Sequence, residues 1–187
     1  MVNELVELLK KNNLTIATAE SCTGGLLASK ITSIPGSSGV FQYGFVTYSE
    51  EAKKKLIGVK DETLRKHSVY SAEVAKEMAI GAMNQSGADF GIGITGVAGV
   101  ENEIVYIDGV KTIIEPGTAY ISCSRITRGG MIHTLSQRFH ANTDSGLCFD
   151  FRERVRNDLS DYAAKLAIEM IKEYTYDKKS RRKNEAV

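Results

Sequence analysis

The chain has 187 residues, and its 24 Lys and Arg against 23 Asp and Glu leave a formal charge of +1. No whole-molecule field therefore draws it to nucleic acid or to an anionic membrane. With 42% hydrophobic residues and no run near the ~20 apolar residues of a membrane helix, the composition fits one globular domain without a membrane partner.

Residues 1–13 carry Val2, Leu5, Val6 and Leu9 at helical spacing and predict an amphipathic first helix. They lack the basic start and long apolar region of a signal peptide. The three cysteines, Cys22, Cys123 and Cys148, are an odd number without metal-ligand spacing. They argue against a disulfide framework, offer no metal site and predict a reducing, cytoplasmic setting. Residues 14–19, LTIATA, predict a short strand, which Ser21 and two glycines interrupt. Residues 26–32 resume as a helix that stops near Pro35, and the aromatic and β-branched run 40–48 predicts a second strand. Ser49 caps the next helix and Gly58 ends it; Ser71 caps the one after.

Residues 88–96, ADFGIGITG, predict a strand whose three glycines imply close approach by a neighbour or a ligand. A polar loop then runs to Pro116, with residues 103–109 suited to a small hairpin strand. Residues 117–124 and 131–140 predict paired strands joined by the turn RITRGG. Val155, Leu159, Tyr162, Leu166, Met170 and Tyr174 step by three or four through a long final helix. The order α-β-α-β-α-α-β-β-β-α predicts a single α/β domain over residues 1–176, a mixed β-sheet covered by helices. The basic residues 177–187 have no apolar anchor and read as a mobile tail.

Chemistry concentrates in ATAESCTGG, residues 17–25. At a strand-to-helix turn, Ser21 would stand beside the free N–H groups of Cys22, Thr23 and Gly24, an arrangement that suits an oxyanion or a phosphate. Gly24 and Gly25 would let a substrate approach the backbone. Capping of the helix by Ser21 or Thr23 is the plainer alternative. Cys22 is a rival nucleophile, although His67, His133 and His140 stand in no motif that would supply a base.

A lysine is the natural base for a serine without a histidine. Lys53 shares a helix face with Leu56 and Ile57 and so tends inward, where burial lowers a lysine pKa; a snorkelling lysine on a half-buried face is the alternative. Tyr48, five residues earlier, could reach the same cleft, or be an ordinary strand aromatic. Residues 93–99, GITGVAG, could place Thr95, Gly96 and backbone N–H groups around a phosphate. Arg152 and Arg156, one helical turn apart, could clamp a phosphate or simply face solvent.

The stretches TIATAESCTGGLLASKIT, PGSSGVFQYGFVTYSEEAKKKLIGV, HSVYSAEVAKEMAIGA, ADFGIGITGVAG and GTAYIS together closely resemble the C-terminal domain of the competence/damage-inducible CinA family. Standalone members are nicotinamide-nucleotide amidohydrolases, which hydrolyse the amide of nicotinamide mononucleotide to nicotinate mononucleotide and ammonia. The resemblance implies a serine–lysine amidohydrolase of pyridine nucleotide salvage, with Ser21 as nucleophile, Lys53 as base and Tyr48 in support. It implies a small-molecule nucleotide substrate, no cofactor or metal, a homo-oligomer and no nucleic-acid partner. The substrate's contacts are expected from Thr23, Gly24 and Gly25, and its phosphate from Ser37 and Ser38 or from Thr95 and Gly96, with Arg156. The chain departs from the family's pattern in 100–116, where a longer VENEIVYIDGVKTII precedes EPGT, and in the approach to the last helix. That altered loop keeps open a catalytically altered nucleotide-binding or regulatory module.

Overall fold

The computed structural model describes residues 1–127, 129–141 and 150–184, with side chains placed as far as Asp177; Cys148 lies outside the described residues. Helix α1 (Val2–Asn12) leads into strand β1 (Ile16–Glu20), helix α2 (Leu26–Thr32) and a 3-10 turn over Ser37–Gly39. Strand β2 (Phe41–Val46) is followed by three helices, α3 (Glu50–Ile57), α4 (Asp61–His67) and α5 (Ala72–Ser86). Strand β3 (Phe90–Gly96) precedes the hairpin β4 (Glu103–Ile107) and β5 (Val110–Ile114), then β6 (Thr118–Ile126), β7 (Ile132–His140) and α6 (Phe151–Asn184).

The main sheet has the order β2-β1-β3-β6-β7. Strand β1 runs parallel to both β2 and β3, while β6 and β7 are antiparallel. The sheet is therefore mixed, as the element order predicts. Helices α1, α2 and α6 cover one face over Ile16, Phe90, Ile92, Ile94 and Ile121. Helices α3, α4 and α5 cover the other over Ala17 and Ala19. Both faces of β1 and β3 are buried, so β1 is apolar or sequestered at every position, whereas the edge strand β2 is largely exposed.

The second face is built of small residues so that α5 can come close. A Cβ on Gly91 would collide with the carbonyl oxygen of Ala79, and one on Gly93 with that of Ala75. The glycines of β3 thus admit a neighbour rather than a ligand at these two positions.

Local chemistry places most helix ends. Ser49 Oγ accepts from Ala52 N–H and Ser71 Oγ from Val74 N–H, while Gly58 closes α3 in the left-handed conformation. Three features differ from the sequence expectation. Helix α4 buries Leu64 alone, so no apolar stripe announces it. Residues 103–114 form a complete two-stranded hairpin, and the backbone of α6 stays helical to Asn184, through most of the segment read as a tail. No described helix is long and apolar enough to cross a membrane.

Candidate active site

Parallel strands β1, β2 and β3 end on the same edge. The chain leaves β1 towards β2 and leaves β3 towards β6, so a crevice opens beyond the carboxyl ends of β1 and β3. Ser21 sits at its floor. Its N–H donates to Ile94 O (3.0 Å), which holds the strand pair together to its last residue.

The chain then turns sharply, with φ of 62° at Gly24 and 89° at Gly25, where a side chain would be strained. Helix α2 begins only at Leu26, and its cap is neither Ser21 nor Thr23. Glu20, fully buried, accepts from Leu27 N–H (3.0 Å) and Ala28 N–H (2.8 Å). A carboxylate there also meets the positive end of the helix. Ser21 is thereby relieved of capping.

Gly24 N–H donates to Ser21 O and is not free, in contrast to the expectation. The N–H groups of Cys22 and Thr23 have no acceptor among the described residues. Arg156 of α6 fixes the turn from outside, donating to Thr23 O through Nε (3.0 Å) and Nη2 (2.8 Å). Its guanidinium is spent on the protein backbone.

Lys53 enters from α3. It and Ile57 face inward, whereas Leu56 turns out with 45% exposure. Lys53 is fully buried, and its Nζ lies 2.9 Å from Ser21 Oγ and 2.8 Å from Thr47 O. Loss of water around the ammonium lowers its pKa to about 8, against smaller opposing effects of Cys22 and Glu50. The carbonyl of Thr47 can only accept, so it fixes one N–H of Lys53. The neutral amine can then turn its lone pair to the Ser21 hydroxyl, which donates. Burial pushes the Cys22 thiol up to about 12, so the sulfur stays protonated at neutral pH. The pair that can exchange a proton is Ser21 and Lys53.

These groups open on a cavity of about 290 Å³ lined also by Tyr48, Glu50, Tyr70, Gly96 and Arg152. Arg152 Nη2 donates to Tyr48 Oη at 2.8 Å. The sequence expectation assigned the substrate's phosphate to Arg156 and not to Arg152. The carbonyl of Thr23 decides: it takes Arg156 and leaves Arg152 in the cleft. Thr95 is buried just beneath, and its Oγ1 donates to Val69 O (2.8 Å), tying down the loop before α5.

Ser37 and Ser38 lie elsewhere. Val40, next to their turn, accepts from Ile16 N–H at the start of β1, so the length of that strand, roughly 15 Å, separates them from Ser21. Among the described residues, no group of three or more His, Cys, Asp or Glu side chains could hold a metal ion.

Fold and site together define a three-layer α/β/α domain with a buried serine–lysine pair in the crevice of its parallel strands. The chain belongs to the CinA C-terminal domain family, whose model matches residues 1–174. A CinA-like protein of Chlorobaculum tepidum is 40% identical over 155 residues, covering 80% of this chain and 37% of that protein. A CinA-like protein of Chloroherpeton thalassium is 58% identical over 93 residues, 50% of this chain and 22% of that one. The chain thus spans well under half the length of these curated relatives. Among solved structures, a CinA superfamily protein from Klebsiella pneumoniae 700603 superposes with a TM-score of 0.73 at 29% identity, covering 92% of this chain and 99% of that one. A competence/damage inducible protein from Agrobacterium tumefaciens gives 0.69 at 30% identity, over 91% and 93%.

Proposed function

We propose that the protein hydrolyses a carboxamide, that of nicotinamide mononucleotide, to the acid and ammonia. One observation carries this reading: a fully buried lysine, with its pKa lowered to about 8, 2.9 Å from a serine hydroxyl at the floor of a cleft. A structural lysine gains nothing from such burial, whereas a general base near neutral pH requires it.

Neutral Lys53 takes the Ser21 proton as Oγ attacks the amide carbon. The N–H groups of Cys22 and Thr23 are the donors available to the oxyanion. The Lys53 ammonium returns its proton to the departing amine, the C–N bond breaks and ammonia leaves. Water, deprotonated by the same lysine, then cleaves the acyl-serine ester and restores Ser21. Arg152, held by Tyr48, is the cation in the cleft that can meet the substrate's phosphate.

Ammonia release from nicotinamide mononucleotide tests the reading. Wild type is expected to turn over, and Ser21→Ala to fall by about 1,000-fold or more. Unchanged turnover in Ser21→Ala would sink the mechanism. A second reading, a nucleotide-binding regulatory module, draws on the hairpin that stands at the cleft. It predicts nucleotide binding by wild type with no ammonia released.

A further inference from the structure

The hydrolytic machinery specifies an amide and says nothing of the ring that bears it. The β4–β5 hairpin does. Its register pairs Glu103 with Ile114 and Ile104 with Ile113. Neighbouring residues of a strand face opposite ways. Ile114 is buried, while Ile104, Tyr106 and Ile113 are exposed. Glu103 therefore shares the face of Ile114 and lines the cleft while remaining exposed to solvent. Glu50, in the first turn of α3, lines the same cleft.

Tyr70 lies with them. Its phenol is pushed up to about 12, first by burial and then by the charge of Glu103, with Glu50 adding a smaller share. It is thus an uncharged ring beside two carboxylates. Among the described residues, neither Glu50 nor Glu103 has a salt-bridge partner. Lys53 hydrogen-bonds Ser21 and Thr47, and Arg152 donates to Tyr48 rather than forming an ion pair with either carboxylate. An aromatic face with adjacent negative charge suits a flat cation.

We propose that Glu103, Glu50 and Tyr70 form a cation subsite, which selects an amide carried on a positively charged aromatic ring, a pyridinium, over its neutral counterpart. The inference rests on the amidohydrolase reading for its substrate class. Glu103 reaches the cleft only through residues 103–114, so the hairpin is a specificity device of this chain.

The test compares nicotinamide mononucleotide with its uncharged 1,4-dihydro form, using wild type, Glu103→Gln and Glu50→Gln/Glu103→Gln. The two rings differ in intrinsic reactivity, but that difference cancels in the ratio of variant to wild type. For the charged ring, Glu103→Gln should lower kcat/KM by about five-fold, and the double variant further. For the neutral ring the change should stay within about two-fold. The discrimination should shrink near 0.5 M salt, where about 4 Å of screening length remains. Equal losses on both rings, or none on either, would overturn the subsite and leave the hydrolase reading standing.

If wild type releases ammonia from neither ring, the hydrolase reading fails, and direct binding decides the subsite. The probes are then 1-methylnicotinamide cation and neutral nicotinamide. Selective weakening of the cation in Glu103→Gln supports the subsite; parallel or absent change overturns it.

Discussion

Lys53 is held at a cost. Its pKa is about 8 when folded against 10.5 when free, so at pH 7 its charge destabilises the native state by about 3 kcal/mol. The unfolded chain keeps the proton up to about pH 10.5, whereas the folded one releases it near 8. Between those values the unfolded state binds more protons, and stability rises with pH. Lys53→Met is therefore expected to raise urea-unfolding stability at pH 7 by about 1–3 kcal/mol, less the two hydrogen bonds lost. The gain should fade towards pH 10.5, and the variant should release no ammonia. In wild type, kcat/KM should climb about ten-fold per pH unit below 8 and level off above it. A flat profile from pH 6 to 9 would remove Lys53 as the base. Cys22→Ala should stay within about three-fold of wild type, since its thiol is no nucleophile at neutral pH; the ammonia assay checks this directly. At this scale the sequence was legible where residues form a motif. Ser21 and Lys53 could be named from spacing and resemblance, but the engaged N–H of Gly24 and the capture of Arg156 depend on a carbonyl's direction, which no side-chain pattern encodes.

Among the elements, β1 and α2 are joined through one buried carboxylate. Glu20→Gln keeps an acceptor but loses the charge that faces two helix N–H groups. It should cost about 1–2 kcal/mol in chemical denaturation, and it should lower turnover because Ser21 follows directly. Gly93→Ala drives a methyl into the carbonyl of Ala75 and should cost about 3 kcal/mol or more, seen as a lower unfolding midpoint. Caps such as Ser49 and Ser71 were readable because donor and acceptor stand three residues apart. The Glu20 contacts span seven and eight residues across a turn, and no local rule reaches them. Helix α4 was missed for the converse reason: with Leu64 alone buried, its residues 61–67 carry no periodic signal.

For the molecule as a whole, the placement of the site follows from strand direction. Strand β1 separates Ser21 from the turn that holds Ser37 and Ser38, two stretches that only the short helix α2 and its flanking turns separate in sequence. Whether a nearby segment lies at the same end of a sheet depends on how many crossings intervene, and α2 returns the chain to the far edge. The hairpin is an appendage to this frame. Replacing residues 103–114 with a short Gly-Ser turn should change the unfolding free energy little, by about 1 kcal/mol or less, while it alters the preference between charged and neutral rings. A larger loss of stability would mean that the hairpin is part of the core.

Arg156 binds the carbonyl of Thr23 across 133 residues. During synthesis Ser21 and Lys53 emerge well before it, and the nascent chain can assemble the strands that carry them. The arginine that fixes their turn arrives only with α6. Until then the apolar residues Phe151, Val155 and Leu159, which close the core, are missing as well. Assembly of the Ser21–Lys53 site is thus tied to the arrival of α6, and a chain cut short before that helix is expected to lack the clamp on the turn.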